Sequence, residues 1–130
     1  GDYIRRGNEQ CLRMVQLEDW RSLEAAAEFL AVRDVNGVFV GLGDLYLSSG
    51  KPSSDPDVQR LARAVAESAR EAGRLSGIAA ANPEEARRYL DMGYSLVMVG
   101  NDATLFAKAA ADTLMATKSG PRHRAPKGHG

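Results

Sequence analysis

Four short apolar runs, each followed by a stretch with the period of an amphipathic helix, leave few folds open to this chain. The runs at residues 12–17, 37–41, 76–80 and 96–100 read as buried strands. Over residues 19–32, Trp20, Leu23, Ala27 and Leu30 fall on one helical stripe, and over residues 57–72 Val58, Leu61, Val65 and Ala69 do the same. Asn82-Pro83-Glu84-Glu85 predicts a helix start, with a capping side chain, proline in the first turn and acids beside the dipole; Gly93 closes that helix. Asp102 begins a last helix that runs to about Thr117. The order is βαβαβαβα. Parallel strands need crossover connections, so this order predicts an α/β fold with a parallel sheet and helices outside it.

The first two runs each lead into a carboxylate: Met14-Val15-Gln16-Leu17-Glu18 and Gly37-Val38-Phe39-Val40-Gly41-Leu42-Gly43-Asp44. In a strand-helix-strand unit the two strands are neighbours, so residues just past their carboxyl ends lie side by side at the rim where parallel folds bind ligands. Two acids held there repel unless a cation sits between them or one keeps its proton. The same spacing is compatible with Glu18 capping the following helix and Asp44 being an ordinary loop acid. The connection over residues 45–56 is rich in Ser, Gly and Pro, and reads as a long functional or mobile loop.

With 130 residues, 44% of them apolar, the chain has the material for the core of one domain. Its zero net charge argues against nucleic acid and anionic membranes as partners. Cys11 is the sole cysteine, so there is no intrachain disulfide; at the start of a buried strand it reads as an inert core thiol in a reducing compartment. No apolar run approaches the roughly 18 to 20 residues of a membrane span, and the expected location is the cytoplasm. Residues 1–119 read as the domain and residues 120–130, without an apolar anchor, as a disordered tail. Both histidines, His123 and His129, fall in that tail, which leaves the body without an imidazole base. Trp20 reads as a packing anchor, Arg87 and Arg88 as solvated surface, and Asn101 and Asp102 as helix caps.

Taken together, Val15-Gln16-Leu17-Glu18, Asn36-Gly37-Val38-Phe39-Val40-Gly41-Leu42-Gly43-Asp44-Leu45, Asp55-Pro56-Asp57-Val58, Gly77-Ile78-Ala79-Ala80-Ala81-Asn82, Tyr89-Leu90-Asp91-Met92-Gly93-Tyr94 and Val97-Met98-Val99-Gly100-Asn101-Asp102 resemble the HpcH/HpaI aldolases. These are metal-dependent pyruvate aldolases of the phosphoenolpyruvate/pyruvate superfamily, built on a (β/α)8 TIM barrel. The resemblance covers roughly residues 1–117 and corresponds to the C-terminal half of that barrel. A complete barrel takes about 250 residues. With four of the eight units, and beginning with Gly1, the chain reads as a fragment or a truncated gene product.

The resemblance implies that Glu18 and Asp44 ligate a divalent metal, Mg2+ or Mn2+ or else Co2+. It places Gln16 beside the substrate, and Gly41, Leu42, Gly43 and Asp44 in the turn that holds a pyruvate carboxylate. It also implies cleavage of 4-hydroxy-2-oxo acids to pyruvate and an aldehyde, and a homo-oligomer. The catalytic histidine and the substrate-binding arginine of the family belong to the upstream half, so no catalytic residue is expected within this chain. Two departures stand in the turn: Leu42 replaces the usual proline, and Tyr46 a serine. A citrate-lyase-like acyl-CoA lyase and a noncatalytic half-barrel or assembly module are the alternatives.

Overall fold

The computed structural model describes residues 6–7 and 11–118, and it divides into two compact units, Gly1–Val99 and Gly100–Gly130. In the first unit, strands β1 (Met14–Leu17), β2 (Gly37–Val40), β3 (Leu75–Ala80) and β4 (Leu96–Val99) form one sheet in the order β1-β2-β3-β4, every neighbouring pair parallel. Helices α1 (Trp20–Glu24) and α2 (Ala26–Ala31) connect β1 to β2, α3 (Leu42–Ser49) and α4 (Pro56–Glu71) connect β2 to β3, and α5 (Pro83–Asp91) connects β3 to β4.

The pleat sorts the strand residues onto two faces. Leu17, Val38, Val40, Ile78 and Ala80 are buried with Leu23, Leu30, Leu45, Val58, Val65 and Tyr89 in one core. The alternate positions carry Gln16, Phe39, Gly77 and Leu96, which stand in one register across all four strands. Gln16 and Leu96 are exposed, and the Phe39 ring lies where a Gly77 side chain would be, so only glycine fits there. Parallel sheets ordinarily bury both faces. Among the described residues of this unit the sheet is covered on one face, which is the geometry of half a (β/α)8 barrel, whose other face is the barrel interior.

Tyr94 locks the far side of the core. Its hydroxyl donates to the Ala62 carbonyl at 2.8 Å, and its ring meets Tyr89 edge-on at 5.9 Å. Tyr89 donates in turn to Glu85 at 3.2 Å, whose second oxygen accepts from the Ala81 amide at 2.7 Å. The α5 start is as the sequence predicts: Asn82 caps it, accepting from Glu85 N–H at 2.9 Å, with Pro83 in the first turn. Gly93, with φ of 101°, ends it.

Three expectations are corrected. Residues 19–32 form two helices broken at Ala25, which shifts the phase of the apolar stripe, so Ala26 is buried and Ala27 exposed. Part of the expected loop at 45–56 is helix α3, ended by left-handed Gly50; buried Leu45 anchors it, so packing outweighs the Ser and Gly content. Cys11 is exposed and precedes β1, so it is not a core thiol.

In the second unit, α6 (Asp102–Lys118) starts at Asn101, whose side chain accepts from Thr104 N–H at 2.9 Å while the Thr104 hydroxyl accepts from Asn101 N–H at 3.2 Å. Leu105, Phe106 and Leu114 are exposed on it. The expected tail at 120–130, with His123 and His129, lies outside the described residues. No helix among the described residues is long and apolar enough to cross a membrane.

Candidate functional site

Glu18 follows directly on β1, and its neighbour Asp19 does the helix capping. The Asp19 carboxylate accepts from Ser22 N–H at 3.0 Å, and Asp19 N–H donates to the Ser22 hydroxyl at 3.2 Å. Glu18 is thereby left without that role. On the adjacent strand, Gly41 N–H donates to the Leu17 carbonyl at 2.9 Å, carrying the β1–β2 pairing one residue past the strand ends. The Gly41 carbonyl then accepts from Leu45 N–H at 3.1 Å, which opens α3. Asp44 therefore sits in the first turn of a helix, not in a loop.

Because Leu17 and Val40 are in register, the residues beyond them share one rim of the sheet. There the Glu18 and Asp44 carboxyl groups come together. Partial desolvation, a hydrogen bond with Asp44 and the negative charges of Asp44 and Asp19 all raise Glu18 above its usual 4.5. Such a pair favours a shared proton or a cation.

Gly41 forms the floor beneath. A methyl group on its α-carbon would stand 3.0 Å from Glu18 Cγ, 3.1 Å from Gln16 Nε2 and 3.3 Å from Glu18 Oε1. Gln16 and Glu18 thus both flank Gly41, and Glu18 in turn meets Asp44. Leu42 turns inward and packs against the core, and Gly43 has open space where a side chain would be. The amides of Leu42, Gly43 and Asp44 occupy the first turn of α3, where N–H groups lack an acceptor within the helix and favour an anion.

Among the described residues no three His, Cys, Asp or Glu side chains converge. A hard cation bound here would take two carboxylate oxygens and complete its octahedron with water and ligand oxygen, the manner in which Mg2+ is commonly held. The donor set fits a hard divalent cation and not a soft one.

One group escaped the sequence reasoning. The Lys51 ammonium lies 5.4 Å from the centre of the Trp20 ring, 2.5 Å from Asp57 and 3.6 Å from Asp55. Lys51 and Trp20 border a 380 Å³ groove whose other lining residues are Asp19, Arg21, Ser48 and Ser49. Trp20 is half-buried against the core, the expected packing role, and its indole N–H donates to Glu24 at 2.8 Å. The only sequence signal was the spacing of Lys51 from Asp55, and it does not reveal the tryptophan.

A profile of the HpcH/HpaI aldolase/citrate lyase family matches residues 2–109. The chain is 38% identical over 111 residues to a 4-hydroxy-2-oxo-heptane-1,7-dioate aldolase of Shigella sonnei, covering 84% of this chain and 42% of the relative. It is 39% identical over 115 residues to a hydroxypyruvate/pyruvate aldolase of Delftia acidovorans, covering 87% and 43%. An HpcH/HpaI aldolase/citrate lyase family protein of Burkholderia cenocepacia superposes with a TM-score of 0.82 at 31% identity, covering 91% of this chain and 47% of that structure. At the level of fold alone, the chain also resembles the citrate lyase beta subunit of M. tuberculosis, solved with oxaloacetate and magnesium, with a TM-score of 0.57 at 21% identity over 68% of this chain and 46% of that structure. The chain thus spans less than half the length of the curated relatives it matches. With a family profile over most of its length and a four-stranded parallel sheet matching just under half of a family structure, the chain belongs to the HpcH/HpaI aldolase/citrate lyase family and represents half of its barrel.

Proposed function

We propose that this chain carries the metal-binding half of a pyruvate-dependent aldolase site, one that cleaves 4-hydroxy-2-oxo acids to pyruvate and an aldehyde. The observation that carries the reading is the meeting of the Glu18 and Asp44 carboxyl groups at the rim of the sheet, where the bare α-carbon of Gly41 leaves room for Glu18 and Gln16. Glu18 and Asp44 are the two carboxylates that would hold a divalent ion, Mg2+ or Mn2+, with Co2+ a third candidate. Such an ion, when bound, supplies Lewis acidity that stabilises an enolate as the carbon-carbon bond breaks. The names of the aldolase relatives and the magnesium in the citrate lyase neighbour support this choice.

The chain's own residues do the rest of the work proposed for this half. The amides of Leu42, Gly43 and Asp44 orient a 2-oxo acid through its carboxylate, aided by the partial positive charge at the start of α3, while the Gly41 N–H is taken by the Leu17 carbonyl and does not take part. The Gln16 side-chain amide, in contact range of Gly41, donates to a substrate oxygen. No histidine lies among the described residues, so the proton acceptor for the aldol step comes from the upstream half of the barrel. The isolated chain is accordingly inactive, and the whole enzyme is a cytoplasmic homo-oligomer in which the apolar side of α6, with Leu105, Phe106 and Leu114, docks between subunits.

The open sheet face favours a second reading, a noncatalytic half-barrel that serves in assembly. Calorimetric titration of the chain with Mn2+, with and without pyruvate and beside a sizing column, separates the two. Binding that pyruvate tightens is expected; a folded chain that binds no Mn2+ overturns the aldolase reading in favour of the second.

A further inference from the structure

We propose that Lys51 is a positioning residue for the Glu18–Asp44 pair: its ammonium holds the helix that carries Asp44 against the helix that follows Glu18. This rests on the reading of those two carboxylates as metal ligands. Lys51 comes directly after Gly50, which ends α3 in the left-handed conformation with its N–H on the Tyr46 carbonyl at 2.8 Å. The ammonium lies over Trp20, the first residue of α1 and two residues beyond Glu18. It also pairs with Asp57 and Asp55 at the start of α4, where Asp55 caps as well, accepting from Asp57 N–H at 2.8 Å. One cation thus joins the start of α1, the end of α3 and the start of α4. The Ser48 hydroxyl near the end of α3, which donates to the Leu45 carbonyl at 3.1 Å, also lies 3.5 Å from the Glu18 carbonyl.

The two helices at issue need such ties. Helices α1 and α3 have 5 and 8 residues, far below the length at which a helix holds itself together in water. Divalent ions of the Mg2+ type demand near-ideal octahedral geometry, so a shift of Asp44 relative to Glu18 reads out directly as lost affinity. The Lys51 ammonium pairs with Asp55 and Asp57 and with neither carboxylate of the Glu18–Asp44 pair, so its effect is exerted through the helices.

The test compares the chain with Lys51→Met, which keeps the stem and removes the charge, and Lys51→Arg, which keeps a cation for both the ring and the aspartates. Mn2+ affinity is measured by calorimetry, and amide hydrogen exchange is followed in the metal-free protein. For Lys51→Met the expected result is a loss of Mn2+ affinity of about fivefold or more, with faster exchange at Leu45 and Gly50 and unchanged protection across α4. Lys51→Arg restores both. Wild-type Mn2+ affinity in Lys51→Met overturns the proposal, as does a loss of protection that extends through α4, since that describes general stability. If the wild-type chain binds no Mn2+, the metal reading itself fails; exchange at Leu45 and Gly50 then judges the latch by itself, and unchanged rates refute it.

Discussion

Gly41 and Glu18 stand in direct apposition: a methyl group on the Gly41 α-carbon would meet Glu18 Cγ at 3.0 Å. The backbone of Gly41, with φ of −95° and ψ of 85°, is not in the left-handed region, so the glycine serves space and not backbone freedom. Gly41→Ala is therefore expected to push Glu18 and Gln16 aside and weaken Mn2+ binding by roughly tenfold, as changes around a metal ligand commonly do. The melting temperature is expected to stay within a few degrees of the wild type, checked by thermal unfolding beside the metal titration. Equal Mn2+ affinity in the variant would show that the space beside Glu18 is not used.

Removing one charge from the pair separates binding from folding. Glu18→Gln or Asp44→Asn is expected to abolish Mn2+ affinity while helix content, followed by circular dichroism, stays nearly unchanged. Neither variant should melt lower than the wild type, because each removes one of two carboxylates that repel in the metal-free protein. Undiminished Mn2+ binding in both variants would remove Glu18 and Asp44 from the site.

The Tyr94 hydroxyl gives a prediction about the core that is independent of any ligand. It is buried and donates to the Ala62 carbonyl at 2.8 Å. Tyr94→Phe keeps the edge-on contact with Tyr89 and deletes one buried hydrogen bond, at a cost of about 1 kcal/mol in urea unfolding. A variant as stable as the wild type would mean that the ring alone carries the contact.

Stability should fall at both ends of the pH scale, for different groups. Lys51 lowers Asp57 below 3.8, so this pair stabilises the fold above that value and loses its contribution as pH drops through the lowered one. Asp57 in return raises Lys51 above 10.5, and that contribution is complete below 10.5 and vanishes as pH climbs through the raised value. Burial pushes Tyr89 up to about 12, so the unfolded chain ionises first and stability declines from pH 10 to about 12. Urea midpoints across pH should accordingly fall above pH 10 in the wild type, and Lys51→Met should lose less stability than the wild type as pH drops through the Asp57 range, the remainder coming from Arg60, which stays 2.9 Å from Asp57. An unchanged acid limb in that variant would exclude the ion pair as its cause.

The alternation of short apolar runs with amphipathic stretches determined the four strands, their parallel order and the rim where Glu18 and Asp44 meet, because strand burial and the crossover rule act on local pattern alone. Gly93 and Asn82 were legible for the same reason: a left-handed turn and a helix start are requirements of a few adjacent residues. Glu18 and Asp19, by contrast, are adjacent acids at one strand end, and which of them caps α1 follows from the direction the backbone takes on leaving β1. Tertiary packing likewise decided that residues 42–49 are helical, since buried Leu45 supplies the stabilisation that an eight-residue segment containing Gly43, Ser48 and Ser49 lacks by itself. The cluster of Lys51 with Trp20 was closed to the sequence because these residues lie 31 positions apart. A cation over a ring has no periodicity; it exists only once α1 and the end of α3 have been packed side by side.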